Sequence, residues 1–258
     1  MKRLEMIIFD YGHTLLYEPE HNRQNANIQI SKYISKNPNN ISFEEFDKNM
    51  TEIFRALREK CGDDIETPVH NILKAAYAYM GIELSVPMEE AERIIWEGIS
   101  LGAVMPHADE MIDYLNSIGI RTAVISNLGF SGKALRERLN RLLPNNRFEF
   151  VLVSSEYIFR KPHPFMFQIA MQRASLPADK IWFCGDSIKR DIYGAQGVGM
   201  FPVLYEGKTE EDVPKFMHQN DGYEIDFEYL HIHDWREMKW RIDTLFDCDS
   251  CAKWTKYE

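Results

Sequence analysis

The chain has 258 residues, 45% of them hydrophobic, which suits one large domain or a core carrying a smaller inserted one. Thirty basic side chains stand against forty acidic ones, a net charge of −10 that argues against nucleic acid as a partner, since phosphate backbones are held by clustered Lys and Arg. Four scattered cysteines (Cys61, Cys184, Cys248, Cys251) cannot make a disulfide framework, no apolar run reaches membrane-spanning length, and the N-terminus lacks a signal-peptide pattern. The expected setting is the cytoplasm, with no membrane partner.

The first predicted element is the apolar run Met6-Ile7-Ile8-Phe9, read as a strand buried on both faces. Asp10 sits where the run ends, and Gly12 allows a sharp bend just beyond it. A carboxylate at the carboxyl end of a central parallel strand lies where open α/β sheets bind ligands. Taken alone, such an Asp is equally a turn cap.

From residue 17 to about 101 the period becomes helical. A helix is predicted over 23–35. A second, opened by the capping-box spacing of Ser42-Phe43-Glu44-Glu45, runs to Lys60. Thr67-Pro68 starts a third, with Val69, Ile72, Leu73, Ala76 and Met80 on one face before Gly81; Pro87 starts a fourth through Ile99. Four helices form a small bundle too large for a crossover loop. Tyr33, Phe46, Phe54, Arg58, Tyr77, Tyr79 and Trp96 are candidates to line a pocket there, although apolar side chains at helical spacing are more often core.

Beyond residue 106 strands and helices alternate. A helix over Met111, Ile112, Leu115 and Ile118 stops at Gly119, and strand 121–126 ends in Ser126 and Asn127. Helix 131–142 and strand 148–153 follow. Arg160-Lys161-Pro162 precedes a helix over 165–174, and strand 181–186 ends in Asp186, with Ser187 and Asp191 close behind. A helix over 188–197 and strand 200–205 complete a doubly wound parallel α/β sheet, which brings Asp10 and Asp186 to the switch-point crevice. The stretch 206–226 reads as a polar loop, 229–233 as an edge strand and 234–246 as a helix. His231 and His233 share one face of that strand, and Cys248 and Cys251 have metal or redox spacing, with a solvated tail as the plainer reading. No internal repeat is visible.

An Asp, a Ser, a Lys and an acidic pair in that chain order, three of the four at strand ends, resemble the haloacid dehalogenase-like hydrolase superfamily. The resemblance runs from residue 4 to about 205, apart from the segment between Tyr17 and Met105. It implies a core of residues 1–16 and 106–258 and a helical cap of residues 17–105 that closes over the site. It also implies a hydrolase that needs Mg²⁺ and acts on a small phosphorylated metabolite through an aspartyl-phosphate on Asp10. In that scheme Asp10, Asp186 and the backbone carbonyl of Gly12 hold the metal. Ser126, the backbone amides around Asn127, Gly12 and His13 receive the phosphate, Lys161 neutralises charge on Asp10 and the transferring group, and Ser187 and Asp191 support the ligands from behind. The chemistry agrees: a phosphate dianion will not approach two carboxylates unaided, and hard oxygen donors favour Mg²⁺.

The neighbouring reaction is displacement of halide from carbon. Those enzymes need no metal and follow Asp-x-Tyr-Gly-Thr, whereas this chain reads Asp10-Tyr11-Gly12-His13-Thr14 and adds Asp186. One departure stands out. Most phosphatases of the resembled family carry a second Asp two positions after the nucleophile, as general acid and base, and here that position is Gly12. Three readings follow: substrates whose leaving groups need little protonation, a proton from His13 or the cap, or a catalytically weak phosphate-binding or interaction protein.

Overall fold

The computed structural model describes residues 4–209 and 222–247; Cys248 and Cys251 lie outside them. β1 (Met6–Phe9) is followed by β2 (Leu16–Tyr17), α1 (Arg23–Ser31), β3 (Ile34–Lys36) and α2 (Phe43–Cys61). Next come α3 (Val69–Met80), β4 (Glu83–Leu84), α4 (Met88–Ile99) and β5 (Ala103–Val104). The chain then runs α5 (Ala108–Ser117), β6 (Arg121–Ser126), α6 (Gly132–Leu142), β7 (Val151–Val153), α7 (Ser154–Tyr157) and α8 (Pro164–Ala174). It continues through β8 (Ile181–Gly185), a π-type turn (Ile188–Ile192), α9 (Tyr193–Gln196), β9 (Phe201–Tyr205), β10 (Leu230–Ile232) and α10 (Trp235–Asp247).

Among the described residues the main sheet has six strands in the order β10-β9-β8-β1-β6-β7, each adjacent pair parallel. β1 is central, which explains its unbroken apolar sequence: side chains alternate across the sheet and both faces are covered. Ile7 and Phe9 join one core with Leu115, Leu135, Trp235 and Met238. Met6 and Ile8 join the other with Met166, Phe167 and Ala195. Each such side chain contributes about 1.5–3 kcal/mol by leaving water. Trp235 on α10 packs edge-on against Phe9, stacks on Tyr205, and donates its Nε1–H to the Thr14 carbonyl at 3.2 Å. The C-terminal helix thereby holds down the turn that follows Asp10.

Helices α1–α4 carry a separate apolar cluster that includes Ile30, Phe46, Leu73, Tyr77 and Ile94. Of the side chains considered for a pocket, Phe46 and Tyr77 stack within this cluster, Trp96 is buried, and Tyr79 is 75% exposed. Two short ribbons went unforeseen. β2 pairs antiparallel with β5 where the chain enters and leaves the insert, and β3 pairs with β4 inside it. The second ribbon stops the first helix at Ser31 instead of residue 35, because Ser85 N–H and Ser85 Oγ both bond to the Tyr33 carbonyl. The predicted strand 148–153 is regular only over Val151–Val153, and the predicted helix 188–197 divides into the π-type turn and α9.

Candidate active site

The crevice is built from the carboxyl ends of β1, β6 and β8. The Asp10 backbone N–H bonds to the Cys184 carbonyl at 2.8 Å, so Asp10 continues the sheet register by one residue before the chain turns. The turn is made differently from the expectation. Gly12 lies outside the left-handed region, and His13 occupies it at φ 52°. His13 N–H donates to the Leu16 carbonyl at 2.8 Å and closes the loop. A Cβ added at Gly12 would meet no atom within 4 Å, so open space lies beside the nucleophile candidate.

Lys161 reaches this carboxylate from the far side of β6. Its Nζ donates to Asp10 Oδ1 at 2.7 Å, to Asp191 Oδ1 at 2.6 Å and to the Ile125 carbonyl at 3.1 Å. Burial pulls the Lys161 pKa down, but the charges of Asp10 and Asp191 outweigh it and hold the ammonium above its ordinary range. The Asn127 side chain braces this lysine through the backbone: Lys161 N–H donates to Asn127 Oδ1 at 2.7 Å, and Asn127 Nδ2 donates to the Lys161 carbonyl at 2.9 Å. That contact was not legible in the sequence, which offered only the backbone amides around Asn127. Ser126, the last residue of β6, is buried beside them.

The third wall follows β8. Asp186 is fully buried, and the carboxylates of Asp10, Asp186 and Asp191 lie within 4.8 Å of one another. Gly185 makes this approach possible, since a Cβ there would sit 2.3 Å from the Asp191 carboxyl carbon. Asp191 is aimed by the π-type turn: its N–H bonds to the Ser187 carbonyl at 2.9 Å, and its Oδ2 accepts from Ser187 N–H at 3.0 Å. Burial raises the Asp191 pKa, with the Asp10 charge adding to it against Lys161. Cys184 is pushed well up by burial and by Asp191, so it stands as a neutral thiol with no nucleophilic part.

Three carboxylates therefore gather at one point, two of them bonded to one ammonium. The donor set consists of hard oxygens, which fits a hard divalent cation such as Mg²⁺. Exposure separates the three: the Asp10 side chain keeps 11% of its surface while Asp191 keeps 2%, so Asp10 is the carboxylate a ligand reaches.

The helical insert is seated on the same loops. Glu66, just before α3, takes two bonds from Arg160 Nη1 at 2.9 Å, one from Ser154 Oγ at 2.5 Å and one from Thr67 N–H at 3.0 Å. Ser154 Oγ in turn accepts from Leu128 N–H at 2.9 Å. One buried carboxylate thus ties the residue before Lys161 to the loop after Asn127. Val69 N–H bonds to the Gly129 carbonyl at 2.8 Å, and Glu66 N–H to the Ile158 carbonyl at 2.7 Å. Nearby, Glu92 on α4 accepts from Ser131 N–H and Oγ at 2.7 and 2.6 Å and pairs with His70 at 2.9 Å. Arg138 on α6 lies 3.8 Å over the Trp96 ring and donates to the Ser100 carbonyl at 2.6 Å. Glu66, Arg160, Ser154, Glu92 and Arg138 carry no sequence signal of their own, because a charged residue in a loop or on an amphipathic face looks solvated until its partner is known.

Comparison with known proteins places this geometry in a family. The family model described as haloacid dehalogenase-like hydrolase matches residues 7–204. Haloacid dehalogenase-like hydrolase domain-containing protein 3 of Xenopus laevis is 28% identical over 142 residues, 54% of this chain and 57% of that protein. Glyceraldehyde 3-phosphate phosphatase of Pyrococcus abyssi is 31% identical over 104 residues, 40% of this chain and 42% of that one. The chain spans about half the length of the curated relatives it matches. Among solved structures, a HAD phosphatase from Thermococcus onnurineus shares the fold at TM-score 0.54 and 17% identity, covering 93% of this chain and 98% of its own. A 2-haloacid dehalogenase from Pseudomonas syringae does so at TM-score 0.52 and 17% identity, covering 94% and 99%. Fold similarity alone therefore separates neither chemistry from the other. With the family match running through every strand end of the crevice, the chain belongs to the haloacid dehalogenase-like hydrolases.

Proposed function

We propose that the protein is a Mg²⁺-dependent phosphatase of small phosphomonoesters that works through an aspartyl-phosphate on Asp10. The observation that carries the reading is the buried three-carboxylate, one-lysine cluster with only Asp10 open to a ligand. A haloacid is a monoanion, whereas a phosphate dianion needs the greater charge compensation that such a cluster would provide with a cation. The phosphatases among the relatives of similar sequence support the same reading.

Asp10, Asp186 and the Gly12 carbonyl would hold the metal. When bound, it would neutralise the phosphate and the attacking carboxylate together. The chain's own groups do the rest. Lys161 holds the Asp10 carboxylate in its attacking orientation and balances charge as the phosphoryl group arrives, while Asn127 fixes the backbone of Lys161. Ser126 Oγ and the amides after it receive the phosphoryl oxygens. Ser187 orients Asp191, which orients Lys161. In this reading α1–α4 are a cap over residues 17–105, seated on the phosphate loops by Glu66, and water enters for the second step when the cap lifts.

Gly12 gives the mechanism its character. A general acid supplies about 10²–10⁴-fold, most where the leaving alkoxide is poor. With none at position 12, aryl and acyl phosphates are expected to be much better substrates than unactivated alkyl phosphates. Turnover of a leaving-group series with Mg²⁺ and in excess chelator tests the proposal, together with a beryllofluoride complex expected on Asp10. Full turnover in chelator would sink it. The same glycine favours a second reading, a phosphate-binding protein with weak catalysis; phosphate binding with no turnover of any ester would select it.

A further inference from the structure

Glu206 leaves the end of β9, one strand from β8, and His231 and His233 flank Ile232 at the end of β10, two strands from β8, roughly 5 and 10 Å at about 4.8 Å per strand. β9 and β10 are paired in register, His231 with Leu204 and Ile232 with Tyr205, and Glu206 N–H bonds to the Ile232 carbonyl at 2.9 Å. Ile232 is fully buried, so strand alternation turns His231 and His233 together to the opposite, outer face. Their rings lie 4.4 Å apart, and His231 Nε2 is 2.8 Å from Glu206 Oε2. One donor atom from each of the three residues lies within 4.8 Å of the other two.

We infer that Glu206, His231 and His233 form a second metal site, distinct from the acidic crevice and selective for an imidazole-preferring divalent cation, Zn²⁺ above all. A His-x-His pair on one strand with a carboxylate from its neighbour gives three ligands on a backbone already fixed by sheet hydrogen bonds. Tetrahedral Zn²⁺ with ligands at about 2.0–2.1 Å separates them by about 3.3 Å, so side-chain rotations alone complete the site. The ion takes the place of the hydrogen bond between His231 and Glu206. Two nitrogens disfavour Mg²⁺, which prefers oxygen ligands, so the two sites sort cations by donor chemistry. The ion also has a structural effect, since it ties β10 to the residue that follows β9.

The test uses the full chain, stripped of metal and held in excess Mg²⁺ to saturate the acidic crevice. Zn²⁺ is titrated in competition with a chromophoric chelator, equivalents are counted, and thermal melting is followed with and without Zn²⁺. One equivalent and a Zn²⁺-dependent rise in melting temperature are expected for the unaltered protein, for Asp186→Asn and for the Cys248→Ser/Cys251→Ser double variant. Both should vanish in His231→Ala and in His233→Ala, whose exposed positions leave folding intact by circular dichroism. Co²⁺ in place of Zn²⁺ should give the visible bands of a tetrahedral site in the same proteins and no others. An equivalent that survives either His substitution, one that disappears with the two cysteines, or an unaltered protein that retains none overturns the site.

Discussion

The crevice at the end of β1 and the seam beneath the helical insert both bury ionised side chains, and they balance them in opposite ways. At the seam, the single carboxylate of Glu66 is met by Arg160, by Ser154 Oγ and by a backbone N–H, so the charge is paired within the protein. In the crevice, Asp10 and Asp191 share one ammonium, that of Lys161, and Asp186 lies within 4.8 Å of both carboxylates. Removing a charge from water costs several kcal/mol unless partners replace the lost hydration. The seam meets that cost and gains position; it is architecture. The crevice gathers three carboxylates within 4.8 Å of one another, a hard-oxygen donor set that a divalent cation would complete. The gathering of several acids at one point, more than burial, separates the candidate site from the seam.

The comparison can be broken most forcefully at Asp10. Asp10→Asn should fold normally yet lose turnover by on the order of 10⁴–10⁶-fold, measured by steady-state kinetics beside circular dichroism. An active Asn variant would remove the chemical half of the contrast. The seam is next in size. Glu66→Ala strands Arg160 in a buried site and should cost about 3–5 kcal/mol in urea denaturation, with a fall in kcat because Arg160 precedes Lys161. Adding Arg160→Met to that variant should recover much of the stability without the activity. A loss below about 1 kcal/mol for Glu66→Ala would mean the pair is solvated.

Opposite signs of stability are the sharpest expression of the difference. Asp186→Asn removes one of three clustered negative charges, so the metal-free variant should be more stable than the parent, by about 1.4 kcal/mol for each pKa unit of repulsion relieved. Mg²⁺ should raise the melting temperature of the parent and leave the variant unmoved. A destabilised Asn variant would show that the three carboxylates are balanced after all. The smallest effect is expected at Gly12. With its φ outside the left-handed region and no atom within 4 Å of an added Cβ, Gly12→Ala should be neutral or stabilising by about 0.4–1 kcal/mol, through the unfolded chain. Gly12→Asp should then raise turnover of alkyl phosphates selectively. Marked destabilisation by the alanine would place strain in this turn that its geometry does not display.

The sequence by itself determined the doubly wound sheet and the order of its strand-end residues, for a local reason. Met6-Ile7-Ile8-Phe9 and Ile181-Trp182-Phe183-Cys184 are apolar on both faces, which suits buried parallel strands, and the polar residue after each run marks a carboxyl end. The four helices of the insert were legible from period, and α2 also from its Ser42 cap; α3 and α4 follow Pro68 and Pro87 without a side-chain cap, so Thr67 is not the cap its spacing suggests. Tertiary structure decided what depends on partners far apart in the chain. The β3–β4 ribbon cut α1 short because pairing between residues 34 and 84 outweighs local helical preference. The left-handed residue of the first loop proved to be His13, not the glycine beside it, because the turn is closed by a bond from His13 to Leu16. Glu66 and Arg160, 94 positions apart, read separately as surface charges and became a buried pair only when the insert met the loops of the sheet. Periodicity and capping are properties of neighbouring residues and leave a record in sequence. The pairing of one buried charge with another is a property of their separation in space, and a single sequence does not record it.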